Sequence, residues 1–187
     1  MPLNVPIFLT WCRIVAILFL VGIYYLPEPW LAMSARNVFA SLIFILAALT
    51  DWLDGFLARR LNQTSAFGAF LDPVADKLMV ATTLILLLEL GRCDAILALV
   101  IIGREITISA LREWMAKVGK SKSVAVSMIG KIKTSAQMLA LPLLLYAAPI
   151  FGINTLFCGK VLLALAAFLT LWSMFYYLSK ALPALRE

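Results

Sequence analysis

Six stretches of roughly twenty mostly apolar residues constrain this chain more than any other feature: about 6–26, 37–58, 71–90, 95–115, 128–148 and 154–178. Each is long enough to cross the hydrocarbon core of a bilayer. A segment there must satisfy its own backbone hydrogen bonds, which a helix does. The composition agrees, with 64% of the 187 residues hydrophobic and a mean hydropathy of +1.00. Pro27, Glu28 and Pro29 end the first stretch; Gly91, Arg92, Cys93 and Asp94 form a turn after the third. Pro149, Gly152 and Asn154 separate the fifth from the sixth. Neither an internal repeat nor a low-complexity segment interrupts the pattern, and no removable signal peptide is expected at the N-terminus. The expected fold is an all-α integral membrane protein of six transmembrane helices, one domain over residues 1–187.

The basic residues orient the spans. There are 16 Lys and Arg against 10 Asp and Glu, a formal net charge of +6. Arg59, Arg60, Lys117, Lys120, Lys122, Lys131, Lys133, Lys180 and Arg186 fall on the second and fourth connections or the C-terminal tail. The opposite connections carry Arg36 and Arg92, with Lys160 near the start of the last span. The positive-inside rule then puts both termini in the cytoplasm. In such a chain the positive charge suits cytoplasmic loops and anionic membrane lipids; no nucleic-acid partner is expected. Lys117, Lys120 and Lys122 suit a solvated loop, and Arg60 a topology anchor. Trp11, Trp30, Trp114, Trp172, Tyr176 and Tyr177 fit an interfacial belt.

Charges inside the spans are costly, and they are not scattered. Asp51 and Asp54 lie near the end of the second span, Asp72 and Asp76 near the start of the third. Spacings of three and four put each pair on one helix face. Two antiparallel helices joined by a short basic loop bring four carboxylates together, which requires a neutralising cation. With no histidine and three isolated cysteines, that cation takes oxygen ligands and is a hard divalent ion. In the fourth span Arg104 and Arg112 lie close to one face, with Glu105, Ser109 and Glu113 on the adjacent stripe. Lys131 and Lys133 open the fifth span on the same side, so a basic pocket suited to phosphate lies beside the acidic one. Glu89, Glu105 and Glu113 are expected to be partners of nearby cations, and Arg13 and Arg112 have snorkelling towards the headgroups as an alternative use.

From Asp51 the chain runs Asp51, Asp54, Gly55, Ala58, Arg59, then eight residues, then Gly68, Asp72 and Asp76. This resembles, without departure, the signature DxxDGxxAR(x8)GxxxDxxxD of the CDP-alcohol phosphotransferase family. Residues 103–114, 123–127 and 130–134 extend the likeness to the bacterial phosphatidylglycerophosphate synthases of that family. The resemblance implies a six-helix homodimer in the bacterial inner membrane, its site open to the cytoplasm, with two divalent ions, Mg²⁺ or Mn²⁺. By position, Asp51, Asp54 and Asp72 correspond to metal ligands at the CDP-diacylglycerol pyrophosphate. Asp76 corresponds to a metal ligand that also deprotonates the acceptor. Gly55 and Gly68 match positions where backbone meets the cytidine, Arg59 an arginine against the donor nucleotide, and Thr10 with Arg13 a looser N-terminal pattern in which Thr10 is expected to contact CDP-diacylglycerol.

The expected reaction is in-line attack of an acceptor hydroxyl on CDP-diacylglycerol with release of CMP. Arg104, Arg112, Lys131 and Lys133 suit a phosphate-bearing acceptor, and the resemblance implies sn-glycerol 3-phosphate. Inositol phosphate or serine is the alternative within the class. Intramembrane carboxylates also build cation transporters, but a transporter should carry polar residues towards both faces. Here the outer halves of the second, third and fifth spans are almost wholly apolar. A membrane scaffold gives no reason to keep four aspartates in register.

Overall fold

A computed structural model of the chain describes residues 5–61, 66–117 and 128–185, with some side chains near helix ends outside the description. Six helices follow one another: α1 Val5–Gly22, α2 Met33–Leu61, α3 Ala66–Glu89, α4 Ala95–Lys117, α5 Met128–Tyr146 and α6 Thr155–Leu185. Among the described residues there is no strand; an isolated bridge joins Ile150 and Ile153. All six apolar stretches are helical. Within the described residues, Met33–Asp51 and Thr155–Phe175 are long and apolar enough to cross a bilayer, and Ile7–Gly22 is a shorter apolar helix. In α3 and α4 the runs are broken by charged residues of the candidate site.

Helix ends follow local chemistry. α1 stops at Gly22, ahead of Pro27, and unwinds through turns in which Tyr24 and Tyr25 donate to Val21 and Gly22 carbonyls at 3.0 and 3.1 Å. α3 stops where Gly91 takes φ +67°, a left-handed conformation that costs glycine little. The Arg92 N–H then returns to the Leu87 carbonyl at 2.8 Å and closes the helix end.

The packing partners form a ring: α1 on α2, α2 on α5, α5 on α6, α6 on α4, α4 on α3 and α3 back on α1. The α5–α6 contact is close because residue 159 is glycine; a Cβ there would stand 2.7 Å from Leu144 Cγ. Ser41 of α2 donates to the Pro142 carbonyl of α5 at 3.1 Å, a second tie across the ring. Phe44, Met79, Leu84, Leu87, Ile101, Leu141 and Leu144 fill the middle and are fully buried. Many large apolar side chains face outward instead, including Phe19, Leu46, Ile85, Leu99 and Phe168, so the outer surface of the ring is broadly apolar.

Candidate functional site

The ends of α2, α3, α4 and α5 on one side of that apolar middle surround a cavity of about 430 Å³. Asp51, Asp76 and Lys77 line one part of it, and Arg104, Glu105, Ser109 and Arg112 another. Thr134, Gln137 and Met138 of α5 complete the wall. Part of each predicted group, Asp51 and Asp76 of the acidic one with Arg104 and Arg112 of the basic one, therefore shares one hollow, while Asp72 and Lys133 do not line it.

Arg13 organises the acidic part. Its side chain is buried, and Nη1 lies 3.0 Å from Asp51 Oδ1 and 2.6 Å from Asp76 Oδ1. This guanidinium does not snorkel to a headgroup. It crosses from α1 to bridge α2 and α3. Thr10, one helical turn before it and also buried, donates to Asp72 Oδ1 at 2.5 Å. The spacing of Thr10 and Arg13 puts both on one face of α1, while Asp72 and Asp76 share a face of α3. One helix thus holds the aspartates of another in register.

A single nitrogen reaching two carboxylates from different helices means that those oxygens converge on one cationic position. Such convergence of hard oxygen donors fits a divalent cation. Among the described side chains no three acids form a ready metal cluster, and the Asp54 side chain lies outside the description. Gly55 and Arg59 share the last turns of α2 with Asp54, and their side-chain surroundings are likewise outside it. Gly68 is buried in the first turns of α3.

The basic part is built by α4, α5 and α6 together. Arg104 is buried; its Nη1 lies 3.3 Å from Glu105 Oε1, and its Nη2 donates to Ser173 Oγ at 3.1 Å. Ser173 passes its own proton to the Thr170 carbonyl at 2.9 Å, which fixes its lone pairs towards Arg104. Lys133 is also buried, and its ammonium donates to Glu105 Oε1. Glu105 is thus a partner of two cations, as its neighbours in sequence suggested. Arg112 faces the same cavity from two turns further along α4. Lys133 stands behind Glu105, and the side chain of Lys131 lies outside the described residues.

Sequence reasoning missed three wall residues, Lys77, Thr134 and Gln137. A signal existed for the last: Gln137 is a polar residue in an apolar run, one turn after Lys133 on the same face of α5. Glu89, expected to pair with a cation, instead accepts from the Tyr25 hydroxyl at 3.2 Å at the far end of α3.

The family described as CDP-alcohol phosphatidyltransferase matches residues 3–172. A CDP-diacylglycerol–glycerol-3-phosphate 3-phosphatidyltransferase of Sodalis glossinidius (strain morsitans) is 54% identical over 185 residues, 97% of this chain and 96% of that protein. The proteins of the same name from Salmonella choleraesuis (strain SC-B67) and Escherichia coli (strain K12) are 52% and 51% identical over 183 residues, each alignment covering 97% of this chain and 96% of the relative.

Proposed function

This chain belongs to the CDP-alcohol phosphatidyltransferase family, and from that premise we propose that it transfers the phosphatidyl group of CDP-diacylglycerol to sn-glycerol 3-phosphate. The products are phosphatidylglycerol phosphate and CMP, and the chain is an enzyme of phospholipid synthesis. One observation carries this reading: over half of all positions, along 97% of the chain, are shared with relatives named for that single reaction. The cavity suits it, because a phosphate-bearing acceptor needs cations at one end and a proton acceptor at the other. Arg104 and Arg112 supply the first and Asp76 the second.

The division of labour follows from position. Asp51, Asp54, Asp72 and Asp76 would hold two divalent cations, Mg²⁺ or Mn²⁺. When bound, these neutralise the pyrophosphate of the donor and the charge that builds on the leaving CMP. Gly55 and Gly68 let backbone approach the cytidine, and Arg59 faces the donor nucleotide. Thr10 and Arg13 keep Asp72, Asp51 and Asp76 aimed. Arg104, Arg112, Lys131 and Lys133 receive the acceptor phosphate, Lys133 acting from behind Glu105. Asp76 takes the proton of the acceptor hydroxyl, whose oxygen forms the new bond to the β-phosphorus. The phosphoanhydride bond breaks, and its electron pair leaves with CMP.

The protein is membrane-associated. We place all six helices across the bacterial cytoplasmic membrane, with both termini and the cavity on the cytoplasmic side, in a homodimer. The basic residues near the cavity end support that orientation. Transport is disfavoured because the cavity is backed by the fully buried apolar side chains of the ring. The test is CMP release from CDP-diacylglycerol by the purified protein with glycerol 3-phosphate, serine and inositol phosphate as acceptors. Turnover with glycerol 3-phosphate and none with the others is expected. Failure of glycerol 3-phosphate sinks the assignment, and cation flux in liposomes would replace it with a transporter.

A further inference from the structure

The carboxamide of Gln137 stands apart from the other groups of the cavity wall. The residue is only 4% exposed, and its Oε1 is buried with no hydrogen-bond partner among the described residues. The roles assigned to the aspartates and cations do not use it. A buried carbonyl-type oxygen without a donor is rare, and next to a binding cavity it points to a donor arriving with a ligand.

The chemistry of the surroundings narrows that donor. Phosphate oxygens accept and cannot satisfy another acceptor, so the phosphate that Arg104 and Arg112 would hold is excluded. The reacting hydroxyl gives its proton to Asp76. On a three-carbon acceptor anchored at one end and reacting at the other, one hydroxyl remains, on the middle carbon. Gln137 lines the same cavity as Arg104, Arg112 and Asp76, so a molecule spanning phosphate anchor and base passes its wall; Oε1 itself is shielded, and the carboxamide turns to present it. We propose that Gln137 Oε1 accepts a hydrogen bond from the secondary hydroxyl of the acceptor, and so makes the site selective for a polyol phosphate over a deoxy analogue. The proposal rests on the glycerol 3-phosphate reading above. It concerns selectivity, because a site built to receive a hydroxyl leaves its polar group unpaired when the hydroxyl is missing.

The experiment compares sn-glycerol 3-phosphate with 3-hydroxypropyl phosphate, which lacks only the middle hydroxyl, by kcat/KM for CMP release from full-length enzyme. The native protein should prefer glycerol 3-phosphate by at least about a hundredfold. In Gln137→Met, of similar length and without the acceptor atom, the preference should shrink to below about tenfold. The loss should fall on glycerol 3-phosphate, with KM for CDP-diacylglycerol unchanged. If the Met variant fails to accumulate folded, Gln137→Asn withdraws the oxygen by one methylene and should lower the ratio in the same way. An unchanged ratio, an equal fall for both acceptors, or a change confined to KM for CDP-diacylglycerol each overturns the proposal. No turnover of glycerol 3-phosphate by the native protein overturns the functional reading first, and this proposal with it.

Discussion

Both ends of the helix ring bury arginines, and they use them differently. At the cavity end Arg13 faces two carboxylates. At the other end, on α2 about 20 Å of helix from Asp51, Arg36 is buried and donates to two backbone carbonyls, Leu31 at 2.8 Å and Tyr24 at 3.0 Å. Arg92 does the same for the carbonyls of Leu144 and Leu145, at 3.2 and 2.8 Å, near the end of α5. Its second nitrogen and the Tyr24 hydroxyl both donate to Asn37 Oδ1, at 3.0 and 3.1 Å. Arg92 completes the end of α5, whose last acceptors would otherwise lack donors, and Arg36 satisfies two carbonyls of the connection between α1 and α2. An arginine on carboxylates beside a hollow leaves groups that can exchange partners when a ligand arrives. The far end is a clasp and the near end the candidate site.

The largest effect that separates them should come from chelation. Removing divalent cations from the purified enzyme should cut CMP release by at least about a thousandfold, with recovery on adding Mg²⁺ or Mn²⁺. Turnover that survives chelation would detach the aspartates from metal. Next, Asp76→Asn should lower kcat by about 10²–10⁴-fold with the thermal midpoint little changed. A variant that unfolds, or one that turns over normally, would make the near end resemble the far one. Arg112→Gln should raise KM for glycerol 3-phosphate by about ten- to a hundredfold, from the loss of charge-assisted bonds, and leave KM for CDP-diacylglycerol alone.

At the far end the pattern should invert. Arg92→Met strips donors from two carbonyls and from Asn37, and should cost about 1–3 kcal/mol of stability. Its kcat/KM per folded molecule should match the native value; a fall in turnover without a fall in stability breaks the comparison. The smallest effect belongs to neither end. Glu113 and Lys117 pair at 2.9 Å while both stay largely exposed, and Glu113→Gln should leave melting and turnover unchanged.

The aspartate spacing is a local property of each helix, and so were the apolar run lengths and the turns at Gly91 and Gly152. These could be found along the chain because helix geometry alone decides them. The pairing of Glu105 with Lys133 was half visible, as an acid near cations without a named partner. Arg13 was harder. In sequence it is one arginine in an apolar run, as compatible with a headgroup as with a carboxylate. Gln137 gave only the oddity of an amide among Ala136, Met138 and Leu139.

The sequence by itself determined a helical, membrane-associated protein, with four aspartates and most of its bases towards one end and its reaction family written in one signature. That follows because hydrocarbon length, helical periodicity and residue chemistry act within a segment. Only the tertiary structure decided the ring order of the helices, which arginine meets a carboxylate and which a carbonyl, and that Gln137 Oε1 has no donor among the described residues. Those depend on which helices touch and in what register, and single-helix spacing carries no such information. Arg13, Arg36 and Arg92 are the same residue in sequence; the helices packed around them set one among carboxylates at the candidate site and two among carbonyls in a clasp.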